Sequence, residues 1–550
     1  MPNLKEDLQK LVKGDVLDDA KTIADHSHDA SLLRVVPKLV IFPKDAEDVK
    51  SVVNYINLHK KEDLALSVTG RSAGSDMTGG PLNESIILDF TKYFKKEEVD
   101  IEALRATVGP GIFYRDFEEV TLPKHITYPV YPASKQLAAL GGMIMNNSAG
   151  ERTLRYGQAR DFVLELKMVL ADGNEYIIKP LTMPELQQKI AQSDFEGELY
   201  KKTYELVEKN YELIKKAKPQ VSKNSSGYAL WRVWDKEKGI FDLTQLFVGS
   251  QGTLGILTEG KIRLIKEPAF KKMIVAFFKT WDDLPAVVNE ILPFGPESME
   301  TFDDATLKLG IRFMPEIAKK AHTALWKFAS EFLPETWVGI KMLRLPKLIV
   351  IIELAEESQS QIEMKTAGIV EKLKNFRHIE FRILNNKKEE DKYWVMRRES
   401  FNLLRQHVHG KRTAPFIEDF CIQPEKMPEF LPKLLKILKD NGIKANIAGH
   451  AGDGNYHIIP LMDLTKESER AKIVPVGKEV FSLIKEYGGT ITAEHNDGII
   501  RTPYIEQMFG AEVYGLFKEV KQIFDPQNIF NPGKKVGGTT EYIENHISKE

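Results

Sequence analysis

Two short runs carry the residue types best suited to chemistry, Gly449-His450-Ala451-Gly452-Asp453-Gly454-Asn455-Tyr456-His457 and Ala493-Glu494-His495-Asn496-Asp497-Gly498. Together they place three imidazoles and a carboxylate where a metal ion and a base could share one substrate. Apolar extended stretches flank the first run, Ala445 to Ala448 before it and Ile458 to Ile459 after it, and the Gly-Asp-Gly-Asn between the histidines is strong turn chemistry. Read as a hairpin, His450 and His457 are cross-strand partners on one face, with Cβ atoms about 5 Å apart. That spacing lets two imidazoles converge on one ion, and Glu494 adds an oxygen ligand while leaving coordination positions open. Two His and one carboxylate suit zinc, manganese or iron(II). Most single histidines at turns and strand ends are inert. Against that reading, two of the 12 His flank one turn and a third sits in a separate Glu-His pair.

Such a site lacks a redox centre, and the N-terminal half has the character of a nucleotide pocket. The run Val68-Thr69-Gly70-Arg71-Ser72-Ala73-Gly74-Ser75-Asp76-Met77-Thr78-Gly79-Gly80 follows the apolar stretch Leu64 to Val68 and mixes glycines with small hydroxyl residues. Glycine tolerates positive φ and has no Cβ to block approach, so backbone N–H groups in such a loop can close around a diphosphate. Tyr131-Pro132-Ala133-Ser134 through Gly141-Gly142-Met143-Ile144-Met145-Asn146-Asn147-Ser148-Ala149-Gly150 has the same character, as does Phe247-Val248-Gly249-Ser250-Gln251-Gly252-Thr253-Leu254-Gly255-Ile256. Neither G-x-G-x-x-G in a βαβ setting nor G-x-x-x-x-G-K-[ST] occurs, which removes the common nicotinamide and P-loop fingerprints.

Arg71 to Gly74, Pro132 to Ser134, Gly141-Gly142 with Asn146 to Gly150, Arg155-Tyr156-Gly157, Val248 to Gly255, the two histidine runs and a closing Asn531-Pro532-Gly533-Lys534 follow one another in a telling order. From about residue 30 to 537 this order resembles the FAD-linked oxidase family. That is the vanillyl-alcohol-oxidase type of flavoprotein with a PCMH-type FAD-binding domain. The branch is the one containing D-lactate dehydrogenase, the glycolate oxidase flavin subunit and D-2-hydroxyglutarate dehydrogenase. The resemblance implies an α+β fold in which a two-subdomain FAD domain faces a ferredoxin-like substrate domain. It implies FAD contacts from Arg71, Ser72, Ala73, Gly74, Ser75, Asp76, Pro132, Ser134, Gly141 and Gly142. Further contacts are implied from Asn146, Asn147, Ser148, Gly150, Tyr156, Gly157, Gly252, Thr253, Gly255, Ile256 and Asn531. It implies a divalent metal, zinc or manganese, on His450, His457 and Glu494, with His495 as the base. Neutral His495 would remove the hydroxyl proton of a small D-2-hydroxy acid while hydride leaves C2 for the flavin. Electrons would pass to a separate acceptor: an electron-transfer flavoprotein, a quinone, a cytochrome or an iron–sulfur subunit.

An anionic substrate needs a cationic clamp, and the Arg fork meets a carboxylate with two parallel bonds. Trp394-Val395-Met396-Arg397 resembles the family segment that supplies this Arg, so Arg397 is the expected clamp, ahead of Arg398, Lys411 and Arg412. Arg398 reads as part of a solvated helix face. Two departures from the family pattern bear on the substrate. Ile459 stands where D-2-hydroxyglutarate dehydrogenases place an Asn against the distal carboxylate, which favours D-lactate or glycolate over a diacid. Asn496-Asp497 replaces the Gly usual after the base and brings a negative charge toward the metal. No His occupies the Arg71 to Gly80 loop and the single Cys is Cys421, so FAD is expected to be non-covalent.

With 550 residues, 42% of them hydrophobic, the chain can bury large cores and should divide into two or more domains. A formal net charge of -2 and the lack of a basic block argue against a nucleic-acid partner. One Cys excludes an internal disulfide and a cysteine-ligated iron–sulfur cluster built by this chain alone. The first twenty residues space Leu4, Leu8, Leu11 and Val12 helically among charges, with no apolar run of spanning or signal length, so the reading is cytoplasmic. Residues 305–347, with Trp326, Phe328, Phe332 and Trp337 among basic residues, could instead rest on a membrane surface, although packing on the parent domain is commoner. Oligomeric state leaves no trace in the sequence.

The expected organisation is an N-terminal helical extension over 1–30, the FAD domain over 31–268, the substrate domain over 269–503 and a returning segment over 504–550. Within it, Asp45 caps a helix presenting Val49, Val52, Val53 and Ile56, Leu164 to Ile178 forms a hairpin, Glu196 to Lys223 is mostly helical, and Ile349 to Leu354 is a buried strand. Two other classes fit less of the chain. A non-catalytic flavin subunit of a glycolate-oxidase-like complex has no reason to keep the metal residues. A metallohydrolase without flavin leaves the Gly-rich half without purpose, and H-E-x-x-H is missing.

Overall fold

A computed structural model describes residues 4–312, 342, 345–384, 386–407 and 410–549. The first layer starts as the sequence predicts. The Asp45 carboxylate accepts from the Asp48 N–H and opens helix Ala46–His59, whose Val49, Val52, Val53 and Ile56 are buried. This helix crosses between strands Leu39–Phe42 and Val68–Arg71, which both pair in parallel with Ile86–Asp89 lying between them. Strand Asp15–Leu17 adds an antiparallel edge to Leu39–Phe42. The stretch expected to be an extension is therefore woven into this sheet, with Leu8, Val12 and Val16 in the same core as the crossover helix.

The second layer is a five-stranded antiparallel sheet in the order Glu97–Asp100, Arg105–Val108, Ile256–Arg263, Val163–Val169, Glu175–Ile178. Its predicted hairpin turns at Gly173, whose φ of 78° calls for glycine. Helices Phe195–Lys209 and Tyr211–Lys216 occupy the run expected to be helical. Helix Ala511–Phe524 packs Val513, Leu516, Phe517 and Val520 into the same core, so the C-terminal segment returns to this layer.

The third layer is an eight-stranded antiparallel sheet. Its order runs Ile379–Ile383, Phe270–Phe278, Leu348–Glu356, Ser298–Asp303, Lys444–His450, Asn455–Met462 and Arg412–Thr413, with Phe420–Cys421 also paired to Asn455–Met462. Leu348–Glu356 is covered on both faces, as its unbroken apolar run predicts. Among the described residues no helix is long and apolar enough to cross a membrane. Most of the 305–347 stretch read as a surface helix lies outside the described residues.

Candidate active site

One cavity of about 690 Å³ opens where the three layers meet, bordered on one side by the glycine-rich loops and on the other by the histidine strands. Arg71 ends its strand half-way into this space, and its Nη2 donates to the His28 carbonyl at 2.8 Å while Nη1 is buried without a partner. Gly74 curls back at φ 65°, and a Cβ there would meet the Arg71 guanidinium at 2.2 Å. Asp76 fastens the loop: one carboxylate oxygen accepts from the Thr78 and Gly80 N–H groups, the other from Asn146 Nδ2 at 2.9 Å. Burial and the nearby Asp76 carboxylate together raise the Asp29 carboxyl.

Most of the expected FAD contacts border the cavity: Arg71 to Asp76, Pro132, Ser134, Gly141, Gly142, Asn146, Ser148, Gly252, Gly255 and Ile256. The others stand behind the wall. Asn147 adopts φ 54° and accepts from the Arg160 N–H. Gly150 lies so close to Tyr131 that a Cβ would meet its carbonyl at 2.1 Å. Tyr156 donates to Glu297 at 3.2 Å, and Gly157 turns at φ 87°. Thr253 bonds Ser250 and Tyr228, while Asn531 Nδ2 donates to the Gly80 and Gln251 carbonyls and so ties the first loop to the third.

The hairpin is real but its register differs from the expected one. Tight 3₁₀ geometry over Ala451–Asp453 and left-handed Gly454 make a four-residue turn, so His450 faces Asn455 and His457 faces Ala448. The two histidines are therefore diagonal neighbours rather than direct cross-strand partners. They still share a face, with ring centroids 5.4 Å apart. His450, His457 and Glu494 each offer a ligand atom within 4.8 Å of the others. His450 Nδ1 lies 2.5 Å from Glu300 Oε1, which turns Nε2 toward Glu494 Oε1 at 3.1 Å without making a hydrogen bond. Two imidazole nitrogens and a carboxylate converging in this way, with a buried nitrogen left unsatisfied, fit a divalent cation of the zinc or manganese class.

Four partners of these residues were not legible in the sequence. Glu418, fully buried, accepts from His495 Nδ1 at 2.8 Å, His457 Nδ1 at 3.2 Å and Arg501 Nη2 at 2.5 Å. Asp419 beside it accepts from the backbone N–H groups of Ala493, Glu494 and His495 and thereby shapes the segment that carries the expected ligand Glu494 and the expected base His495. Lys223, also fully buried, reaches Glu494 at 2.6 Å and Asp453 at 3.2 Å. Glu300 joins His450 to Arg397, whose Nη2 is 2.5 Å from its second oxygen. The expected clamp thus borders the cavity but also leans on the carboxylate that meets His450. Arg412 pairs with Met462 and stands on the sheet face away from His457 and Ile459.

Charge balance is tight. Burial opposes ionisation of Glu300, yet Arg397 and His450 outweigh it and hold the carboxyl down at about 2. Burial likewise disfavours the His495 cation, but Glu418 and Asp419 overcome it and raise the imidazole to about 10. Glu494 and Glu418 are held well below the usual carboxylate range against the cost of burial, by His450 with Lys223 and by His495 with Arg501 respectively. A divalent cation at the neighbouring ligands would push the His495 value back down by simple repulsion.

Asp497 does not bring its charge to the His450–His457–Glu494 cluster. It is fully buried against Lys535 Nζ at 2.8 Å and accepts from Ser226 and the Gly227 N–H. Asn496 takes φ 68°, the left-handed conformation glycine also favours. Its amide donates to the Asn146 and Gly249 carbonyls, pinning two of the glycine-rich loops.

A layered α+β scaffold whose glycine-lined cavity ends on a histidine–carboxylate cluster defines a flavoprotein of the oxidase class. Residues 37–178 match a FAD binding domain and residues 267–535 match the C-terminal domain of FAD linked oxidases. The chain belongs to the FAD-linked oxidase family. It is 26% identical over 528 residues to a D-2-hydroxyglutarate dehydrogenase of Pseudomonas putida, covering 95% of this chain and 50% of that one. The chain thus spans about half the length of several curated relatives it matches. The glycolate oxidase subunit GlcD of Bacillus subtilis is 26% identical, with 92% of this chain and 91% of that one covered. The D-lactate dehydrogenase of Archaeoglobus fulgidus is also 26% identical, with 90% and 91% covered. The fold is shared with 4-ethylphenol oxidase from Gulosibacter chungangensis, at a TM-score of 0.69, 15% identity and 98% coverage of both chains.

Proposed function

We propose that the protein is a FAD-dependent, metal-assisted dehydrogenase of small monocarboxylic D-2-hydroxy acids, with D-lactate and glycolate as the favoured substrates. The observation that carries this reading is that the same cavity is bordered both by the Arg71–Asp76 loop and by His457, Glu494 and His495. A substrate there lies within reach of a flavin, an ion and a base at once. When bound, FAD supplies a hydride acceptor and the divalent ion a Lewis acid that acidifies the 2-hydroxyl.

The chain's own groups do the rest. Glu418 can only accept, so its bond fixes the proton of His495 on Nδ1 and leaves Nε2 as the atom that takes the hydroxyl proton. Arg397 orients the substrate carboxylate. Lys223 and Glu300 hold Glu494 and His450 in place as ligands. Ile459, on the cavity wall, offers nothing to a second carboxylate. Electrons leave to a separate acceptor, in keeping with a single buried Cys that cannot ligate a cluster. Dye-coupled turnover of the purified protein tests the reading. D-Lactate or glycolate should be oxidised and L-lactate should not; turnover indifferent to C2 configuration would sink it.

A further inference from the structure

The cavity wall beyond the metal cluster is built from the same two strands, and its next row is a polar–apolar pair. Asn446 and Ile459 are direct cross-strand partners, and both border the cavity. They lie one same-face step beyond Ala448 and His457, about 7 Å along the strands. Asp303 brings a third residue alongside, because its carboxylate accepts from both the Thr306 and the Ile447 N–H groups. Thr306 also borders the cavity. The half-buried Asn446 amide borders the cavity and has no hydrogen-bond partner among the described residues, so its donor and acceptor face the space a substrate tail would enter. Among the described residues on this side of the cavity, Arg397 is the one guanidinium or ammonium group, and it already faces Glu300.

We propose that Asn446, flanked by Ile459 and Thr306, is a specificity subsite for the tail of a 2-hydroxy acid longer than lactate, with an uncharged hydroxyl or amide at its end. The inference rests on the hydroxy-acid reading above and extends it from D-lactate and glycolate to a longer monocarboxylic acid. With C2 held at the ion and base, three further carbons and a terminal polar atom reach about 5 Å, and a hydrogen bond of about 3 Å to the amide covers the step of about 7 Å. The Ala448 and Ile459 side chains flank the methylenes, and the amide both donates and accepts, which suits a hydroxyl or carboxamide. A carboxylate would be desolvated there without a cation to balance it.

The test uses the metal-replete flavoprotein and a matched pair, D-2-hydroxyvalerate and D-2,5-dihydroxyvalerate, with D-lactate and D-2-hydroxyglutarate alongside. The wild type should prefer the dihydroxy acid over its deoxy partner by about tenfold in kcat/KM. Asn446→Leu should erase that ratio, and Asn446→Ser, a milder change, should reduce it; each variant is compared with itself across the pair, so altered yield does not enter. A wild-type ratio near one, a ratio unmoved by both variants, or a preference for D-2-hydroxyglutarate would overturn the subsite while leaving the hydroxy-acid reading intact. If no acid in the panel reduces the flavin, the hydroxy-acid reading falls and the subsite with it.

Discussion

Across one cavity, two walls do their work with different materials. The wall toward residues 70–150 is mostly backbone: Gly74 at positive φ and Gly141 pressed against neighbouring chain, with Gly150 close-packed behind them, and Asp76 and, behind it, Asn531 spent on tying loops together. The facing wall is side chain, charged at its histidine–carboxylate end and continued by the uncharged Thr306, Asn446, Ala448 and Ile459. Glu300, Glu418, Glu494, Lys223 and Arg501 are fully or almost fully buried, and each is matched by an opposite charge or an imidazole. A backbone wall can hold a large polar ligand without committing a charge, because N–H groups are uncharged donors. A wall of paired charges instead fixes which nitrogen of each imidazole carries a proton and where each ligand atom points. The cost is a set of buried ions that are each dangerous alone.

The predictions separate the two walls, beginning with the largest effect. His495→Ala should lower flavin reduction by about 10³-fold or more while the protein keeps its yellow colour, measured by anaerobic stopped flow. Retained reduction would remove His495 as the base. Chelation, or His457→Ala, should lower reduction by about 10²-fold and abolish stoichiometric metal by elemental analysis, again with flavin retained.

Glu418→Gln removes the anion that raises His495 and leaves Arg501 short of a partner. The imidazolium is then less stabilised, so the acid limb of the pH–rate profile should move to lower pH. Thermal denaturation should report a loss of about 3 kcal/mol. Metal-free protein offers a related check. The Glu300 carboxyl is held at about 2 against an ordinary value of 4.5. Its contribution to stability is thus complete above 4.5 and is lost as pH falls through about 2. Acid titration of the apo form should show this decline, and a flat profile would mean the wall is not ion-paired in solution.

Changes to the backbone wall should read out in flavin affinity rather than chemistry. Gly74→Ala forces a side chain into left-handed φ and against Arg71, costing about 1–2 kcal/mol and about tenfold in FAD retention. Asn496→Gly should be mildest, about 1 kcal/mol, since glycine keeps the φ but loses two amide bonds to the loops.

The same contrast explains what could be read in advance. The backbone wall announces itself, because positive φ and close approach leave glycine as the only good residue, and Gly74, Gly141 and Gly150 appear as motif. The expected ligands announce themselves too, since His450 and His457 bracket turn residues. Their register did not, because direct pairing across the turn presupposed a two-residue-centred hairpin and Ala451–Asp453 winds into 3₁₀ instead. Glu418, Glu300, Lys223 and Arg501 were hidden for another reason. Each acts on a partner far away in sequence, and only the fold brings them together. A faint signal existed for Glu418-Asp419, two acids set inside the apolar run Phe416-Ile417 and Phe420-Cys421, where burial without partners would be prohibitive. Asp497 shows the reverse case: a carboxylate two residues beyond the expected base His495 is turned away to Lys535.

The central claim is that one substrate is held between a flavin on the backbone wall and an ion and base on the charged wall. The most direct measurement is the anaerobic visible spectrum of the metal-replete protein before and after D-lactate, glycolate, D-2-hydroxyglutarate and L-lactate, repeated after chelation. The account predicts that D-lactate or glycolate bleaches the flavin band and that chelation prevents it. A flavin that none of these acids bleaches, or one bleached equally well without metal, would contradict it.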